Sequence, residues 1–175
     1  SRVVCPSMTD ILCGRSRPGH FEGVTTVVSK LFNIIQPDES VFGLKDFQQI
    51  SVIRRMVEDM CLPIKVQGGP ICRESDGLAM SSRNAFIKSN ERPKVRILKE
   101  SLIEVGNCLS KGDKDFCGLE QQASERIEQL GFTVDYISVR NSLTLEEAAI
   151  DDKDLIVLGA MYTKSARLID NCMLR

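Results

Sequence analysis

Residues 24–69 read VTTVVSKLFNIIQPDESVFGLKDFQQISVIRRMVEDMCLPIKVQGG, and the changing period of their apolar residues decides the fold. Val24, Val27, Val28, Leu31, Phe32 and Ile35 recur at i, i+3, i+4, which predicts a helix over 22–36. Ile34 widens its apolar face, as expected of a helix buried between layers. Pro37 ends it. SVFG (40–43) is a short apolar run closed by glycine, the pattern of a buried strand. Residues 45–60 return to helical spacing, with Phe47, Ile50, Ile53, Val57 and Met60 on one stripe. PIKVQGG (63–69) reads as a second strand. Helix, strand, helix, strand implies an α/β fold with a parallel sheet and covering helices.

Upstream, residues 2–5 are expected to form a short strand, and GRSRPGHFEG (14–23) a loop rich in glycine and arginine. Downstream, 70–86 breaks into polar loop, with a hinge near 69–75. A second unit follows. Ser89 is the candidate N-cap of a helix, with Pro93 in its first turn. Val95, Leu98, Leu102, Val105 and Leu109 keep helical spacing down to Gly112. Phe116, Leu119, Ala123, Ile127 and Leu130 mark another helix, closed by Gly131. FTVDYISV (132–139), DLIVLGAMY (154–162) and ARLIDNCM (166–173) read as strands. Two helices with three strands make a small α+β unit with a short antiparallel sheet. The chain therefore divides into 1–70 and 71–175.

Composition narrows the function. The chain has 175 residues, 42% apolar and 27% charged, which is globular. A net charge of −1 gives no basic field for nucleic acid. No apolar run approaches a membrane span. Seven cysteines, an odd number with no C-x-x-C spacing, and one histidine argue against a zinc site or a disulfide framework. Most of these thiols are expected to be small buried hydrophobes in a reducing cytoplasm. No signal peptide is expected, because residues 1–6, SRVVCP, are too short for an apolar h-region. The chain opens on Ser1 rather than Met, and reads as a fragment or a processed chain.

Three segments could carry chemistry. In FGLKDFQQ (42–49) a strand gives way to a helix, where open α/β sheets bind ligands. Gly43 lets a ligand approach the backbone. Lys45 offers a point charge for phosphate or carboxylate. Asp46 either caps the helix or accepts from ribose hydroxyls, and Gln49 faces the same way. An N-capped helix with solvated Lys and Gln is the plainer alternative. In DGLAMSSRN (76–84), Ser81, Ser82 and Arg83 provide hydroxyl and guanidinium donors suited to phosphate oxygens. A surface linker is the plainer alternative there, although Leu78 and Met80 interleave oddly for one. In SRPGHFEG (16–23), Arg17 reaches the same crevice or is simply solvated, and His20 reads as a satisfied loop histidine rather than a base.

Taken together and in order, RPGHFEGVTTVVSKLFNIIQPD, FGLKDFQQ, DGLAMSSRN and ARLIDN resemble the pantothenate synthetase family, ligases of the class I synthetase-like nucleotidyl transferase group. The resemblance implies ATP-dependent joining of pantoate to β-alanine through a pantoyl adenylate, with Mg2+ accompanying ATP. It implies a Rossmann-like domain followed by a smaller lid domain, and a cytoplasmic homodimer. It places Gly43 and Asp46 at the ribose, Lys45 at the phosphates and Gln49 at pantoate. Ser81, Ser82, Arg83 and Arg17 fall at the triphosphate, and Met80 and the Cys72 backbone beside adenine. No metal ligand from the protein is expected.

The sequence departs from that pattern in three places. The family's His-x-Gly-His pair is absent, so 1–70 reads as the C-terminal part of the Rossmann-like sheet and 71–175 as the lid. Leu44 replaces an acidic residue, and QGGP (67–70) replaces Val-Gly-Val-Pro. Two other readings stay open at this point: a nucleotidyl transferase for another acid, and a non-catalytic relative kept as a binding module.

Overall fold

The computed structural model describes residues 1–6 and 8–174. The chain forms two compact units, Ser1–Pro70 and Ile71–Arg175.

The first unit holds α1 (Cys13–Ser16), α2 (His20–Ile35), β1 (Glu39–Gly43), α3 (Phe47–Asp59) and β2 (Lys65–Gly69). β1 and β2 pair in parallel, from Glu39 opposite Lys65 to Gly43 opposite Gly69. The crossover through α3 is what parallel pairing requires. Val28 and Phe32 of α2 pack on Ile53 and Met56 of α3, with Phe42 and Val66 of the strands beneath.

Three expectations for this unit fail, and a fourth that concerns the whole chain. First, 14–23 is not all loop. Residues 13–16 form one helical turn, and α2 starts at His20 because Gly19, at φ 75°, turns the chain into it. Second, 2–5 is not a strand. Its polar groups go to α2 instead. The Val3 N–H donates to Thr26 Oγ1 at 3.0 Å, and Thr25 Oγ1 donates to the Val3 carbonyl. Third, α2 buries Phe21, Thr25, Val28, Ser29 and Phe32, a narrower stripe than its apolar residues suggest. Ile34 is 79% exposed, and Val27, Leu31 and Ile35 are exposed with it. Fourth, the cysteines are mostly not buried. Only Cys5 and Cys13 are, while Cys61, Cys72 and Cys117 are exposed, and all seven are free.

The second unit holds α4 (Ile97–Ser110), α5 (Phe116–Glu128), β3 (Thr133–Asn141), β4 (Leu155–Tyr162) and β5 (Arg167–Met173). The strands form one antiparallel sheet in the order β3-β4-β5, as the alternation predicts. The core joins Leu98, Leu102 and Val105 of α4 and Leu119 and Ile127 of α5 to Ile137, Val157 and Met161 of the sheet. Asp115 caps α5, its Oδ1 accepting from the Gly118 N–H at 3.0 Å. α5 stops at Glu128 with Gln129 as its C-cap, earlier than the expected close at Gly131, which sits in the following turn at φ 86°.

The expected N-cap at Ser89 is a correction. Residues 88–97 run as separate turns, and α4 begins only at Ile97. Pro93 has no N–H to give a helix and disfavours helical backbone in Arg92. Glu91 is buried and accepts from the Lys164 N–H at 3.1 Å, which anchors these turns to the loop before β5.

α4 lies close on β4 at Gly159. A Cβ there would meet Leu102 Cδ2 at 2.9 Å and Leu98 Cδ1 at 3.0 Å. Leu102→Ala is expected to destabilise the second unit by roughly 2–5 kcal/mol, and Gly159→Ala by roughly 1–3 kcal/mol. In urea unfolding, the double variant should lose less than the sum, because the space left by Leu102 takes up the added methyl.

Candidate functional site

The candidate residues of the first unit gather at the C-terminal end of β1. Gly43 closes the strand with ordinary extended backbone (φ −68°, ψ 129°), and a Cβ on it would meet nothing within 4 Å. Neither conformation nor crowding within the unit calls for glycine there. What glycine leaves is open backbone that another molecule can approach. A 3-10 turn, Leu44–Asp46, follows at once and carries Lys45 and Asp46 past the strand end into α3. Asp46 stands at the N-cap position of α3 but makes no side-chain capping bond, so that expected role is not observed.

The two smaller departures from the family pattern meet here. The Leu44 side chain lies over Gly68, where a Cβ would fall 2.6 Å from Leu44 Cδ2. Leucine in place of the acidic residue therefore covers the end of β2 with an apolar contact.

In FQQ the structure distinguishes two glutamines. Gln49 is half-buried at the first turn of α3. Gln48 is buried and makes three hydrogen bonds to the segment before α1 and its first residue. Its Oε1 accepts from the Cys13 N–H at 3.0 Å, and its Nε2 donates to the Met8 and Ile11 carbonyls at 2.9 and 2.8 Å. Sequence reasoning passed over Gln48. The only available signal was a second polar residue on the buried face of an amphipathic helix.

Arg17 and His20 stand together, with Nη1 3.0 Å from Nε2. A guanidinium can only donate, so Nε2 accepts and the ring proton belongs on Nδ1. His20 is the first residue of α2, not a loop histidine as expected.

In the second unit, the segment expected to be a plain polar loop is a short hairpin. The Met80 N–H donates to the Cys72 carbonyl at 2.9 Å, and the Glu74 N–H to the Leu78 carbonyl at 2.8 Å. Asp76 and Gly77 make the turn, with Gly77 at φ 85°. Leu78 and Ala79 are buried and Met80 is exposed, which explains the odd interleaving. Ser81 then caps a 3-10 turn over Ser82–Phe86, its Oγ accepting from the Arg83 N–H at 3.2 Å. Ser82 and Arg83 are exposed, and the Arg83 guanidinium enters no ion pair among the described residues.

Two arginines that the sequence did not single out hold this hairpin. Arg73 forks onto Asp170 of β5, with Nη1–Oδ2 at 2.6 Å and Nη2–Oδ1 at 3.0 Å, and also donates to the Gly77 carbonyl. Arg92 binds both Glu74 and Asp76. Hydrogen bonds from Asn84 and then Arg92 hold the Glu74 carboxyl below its usual range. The Leu78 N–H, aided by Arg92, does the same for Asp76. In ARLIDN, Arg167 pairs with Asp135 and Asp170 with Arg73, so that motif is structural.

The structure thus brings Gly43, Lys45, Asp46 and Gln49 to one strand end, and Arg17 beside His20. It brings Cys72, Met80, Ser81, Ser82 and Arg83 onto one hairpin and its following turn. Among the described residues, no group of three His, Cys, Asp or Glu side chains is placed to hold a metal. No helix there is long and apolar enough to cross a membrane.

The family model for pantoate-beta-alanine ligase matches residues 1–173. This chain belongs to that family. It is 60% identical to the pantothenate synthetase of Saccharophagus degradans over 174 residues, which is 99% of this chain and 61% of that protein. The Cellvibrio japonicus pantothenate synthetase is also 60% identical, over 171 residues, 98% of this chain and 60% of that protein. The chain therefore spans about three fifths of the length of the curated relatives it matches. Among solved structures, the Thermus thermophilus pantothenate synthetase superposes with a TM-score of 0.91 at 36% identity, covering 98% of this chain and 63% of that one. The pantoate-beta-alanine ligase of Francisella tularensis, solved in complex with β-γ ATP and β-alanine, matches with a TM-score of 0.69 at 30% identity, over 99% of this chain and 58% of that one. The α/β fold, with a parallel sheet and a small antiparallel sheet, is the one these structures share with the chain.

The anchoring role of Gln48 can be measured directly. Gln48→Leu would remove the side-chain acceptor of the Cys13 N–H and the side-chain donor to the Met8 carbonyl, while the Ile11 carbonyl keeps the Gly14 N–H. A buried polar group that loses its partner costs about 1–3 kcal/mol. Hydrogen exchange at Cys13 should rise by an order of magnitude or more, while the amides of β1 and β2 stay protected.

Proposed function

We propose that this chain carries the phosphate-holding part of an ATP-dependent pantoate–β-alanine ligase. The observation that carries the reading is 60% identity to pantothenate synthetases along nearly the whole chain. The open backbone at Gly43 and the exposed Ser82 and Arg83 support it. In the first step the pantoate carboxylate attacks the α-phosphorus of ATP. Pantoyl adenylate forms and pyrophosphate leaves. In the second, the amine of β-alanine attacks the acyl carbon, pantothenate forms, and AMP leaves.

Charge builds on the departing pyrophosphate, and preorganised donors aimed at it lower the barrier. Lys45, Arg17, Ser81, Ser82 and Arg83 fill that role. Gly43 and Asp46 take the ribose, Met80 and the Cys72 backbone flank adenine, and Gln49 binds pantoate. The parallel strands belong to a Rossmann-like nucleotide domain, and the second unit is its lid. Mg2+ would accompany ATP and offset the charge of its phosphates. A cytoplasmic homodimer completes the reading, and seven free thiols suit that compartment.

The His-x-Gly-His pair of the family does not occur in these 175 residues. The purified chain alone is therefore expected to show no pantoate-dependent exchange of labelled pyrophosphate into ATP. Clear exchange would sink that statement. In a protein that carries the pair together with this segment, Arg83→Ala should slow adenylation by roughly 10²–10³-fold while pantoate binding changes little. Equal losses in both would remove Arg83 from the phosphates.

A further inference from the structure

The hairpin carries two carboxylates, and one of them, Glu74, contacts the turn that holds the donors proposed for the triphosphate. Asn84, next to Arg83, donates to Glu74 Oε1 at 2.5 Å and to the Ala79 carbonyl at 3.1 Å. Glu74 is thereby drawn against the 3-10 turn that carries Ser82 and Arg83. Asp76 sits at the turn of the same hairpin. Left alone, two such groups would compete with any anion for Arg83, or simply repel it.

They are not left alone. All four carboxylate oxygens are committed. Glu74 Oε1 takes Asn84 Nδ2, and Glu74 Oε2 takes Arg92 Nη2. Asp76 Oδ1 takes the Leu78 N–H at 3.1 Å, and Asp76 Oδ2 takes Arg92 Nε at 2.8 Å and Nη2 at 2.7 Å. Arg92 lies in the turns before α4, where the buried Glu91 is anchored to the Lys164 backbone. Its rigid planar fork meets both carboxylates at once, in a geometry that a flexible ammonium does not hold fixed. The Arg83 guanidinium, meanwhile, has no carboxylate partner among the described residues.

We infer that Arg92 is a positioning residue for polyphosphate. It sequesters Glu74 and Asp76 so that the Arg83 guanidinium stays uncommitted. This rests on the reading of Ser81, Ser82 and Arg83 as a phosphate site. Arg92 itself need not touch the ligand. Its effect is electrostatic and local, so it fades with added salt.

The test uses the 175-residue chain and inorganic tripolyphosphate, with binding followed by calorimetry at about 50 mM and about 0.5 M salt. Arg83→Ala reports on the underlying phosphate reading. If it leaves binding unchanged, that reading and this inference both fall. If it abolishes binding, the remaining variants decide the inference alone. Arg92→Gln should weaken binding roughly tenfold at low salt, with the deficit shrinking at high salt. Adding Glu74→Gln and Asp76→Asn to it should restore most of the loss. A purely architectural Arg92 would give a loss that neutral carboxylates do not rescue, and that result overturns the inference, as does an Arg92→Gln variant that binds normally. Should Arg92→Gln fail to fold, Glu74→Gln/Asp76→Asn with Arg92 intact still decides. Sequestration requires equal or tighter binding from that variant at low salt, whereas weaker binding refutes it.

Discussion

A buried ion pair governs the second unit. Asp170 on β5 is almost wholly enclosed, and the Arg73 guanidinium meets both of its oxygens. A carboxylate in such a place is unfavourable unless its lone pairs are filled. Here they are, since Oδ1 also accepts from the Asn171 N–H. The same guanidinium reaches the Gly77 carbonyl at the hairpin turn. One desolvated charge pair therefore fixes where the hairpin leaves the sheet. The proposed phosphate donors take their place from it.

The chemistry of the hairpin follows from how its charges are shared out. Arg73 and Arg92 are consumed by three carboxylates, and Asn84 by a fourth contact with one of them. Arg83 lies on the same short segment and is left over. An arginine with no carboxylate partner among the described residues, flanked by exposed or half-buried hydroxyls, is a poor feature for stability and a good one for binding an anion. The first unit behaves similarly at Gly43. The residue there has ordinary extended backbone and no neighbour that a Cβ would meet, which fits the ligand approach proposed for it.

The periodic parts of the chain are legible in the sequence. The stripe of α4, most of those of α3 and α5, the parallel β1 and β2 and the three antiparallel strands follow from spacing. Met60 and Leu130, however, prove exposed beyond their helix ends, and Val52 and Met56 are buried off the expected stripe. The failures share a physical cause. Ser89, Gln48 and residues 2–5 are judged by local preference, and in each a distant partner decides the outcome. Lys164 holds the turns before α4, the loop before α1 occupies Gln48, and Thr25 and Thr26 take the polar groups of Val3. The apolar residues of α2 mislead in the opposite sense. Val27, Leu31 and Ile34 have the right spacing for burial, but within this unit only the stripe through Val28 and Phe32 meets α3. The residues proposed for the site come from contiguous motifs, FGLKD and SSRN. Arg73 and Arg92, which act through distant partners, lie outside every motif singled out, and ARLIDN does not reveal that its Asp170 pairs with Arg73.

Arg73 and Asp170 are 97 positions apart in the chain. A contact that long-range closes late, because chain entropy must be lost before the contact returns anything. During synthesis the hairpin emerges well before the strand that locks it. Its backbone turn can form early, since Asp76 and Gly77 are local, and Leu78 and Arg92 tie it to the α4 region, yet the Arg73–Asp170 pair can close only when β5 docks on β4. The segment on which nucleotide chemistry is proposed to depend is thus assembled in two stages, shape first and orientation last. A ribosome-bound intermediate lacking β5 would carry a formed turn without the buried ion pair that completes its anchoring.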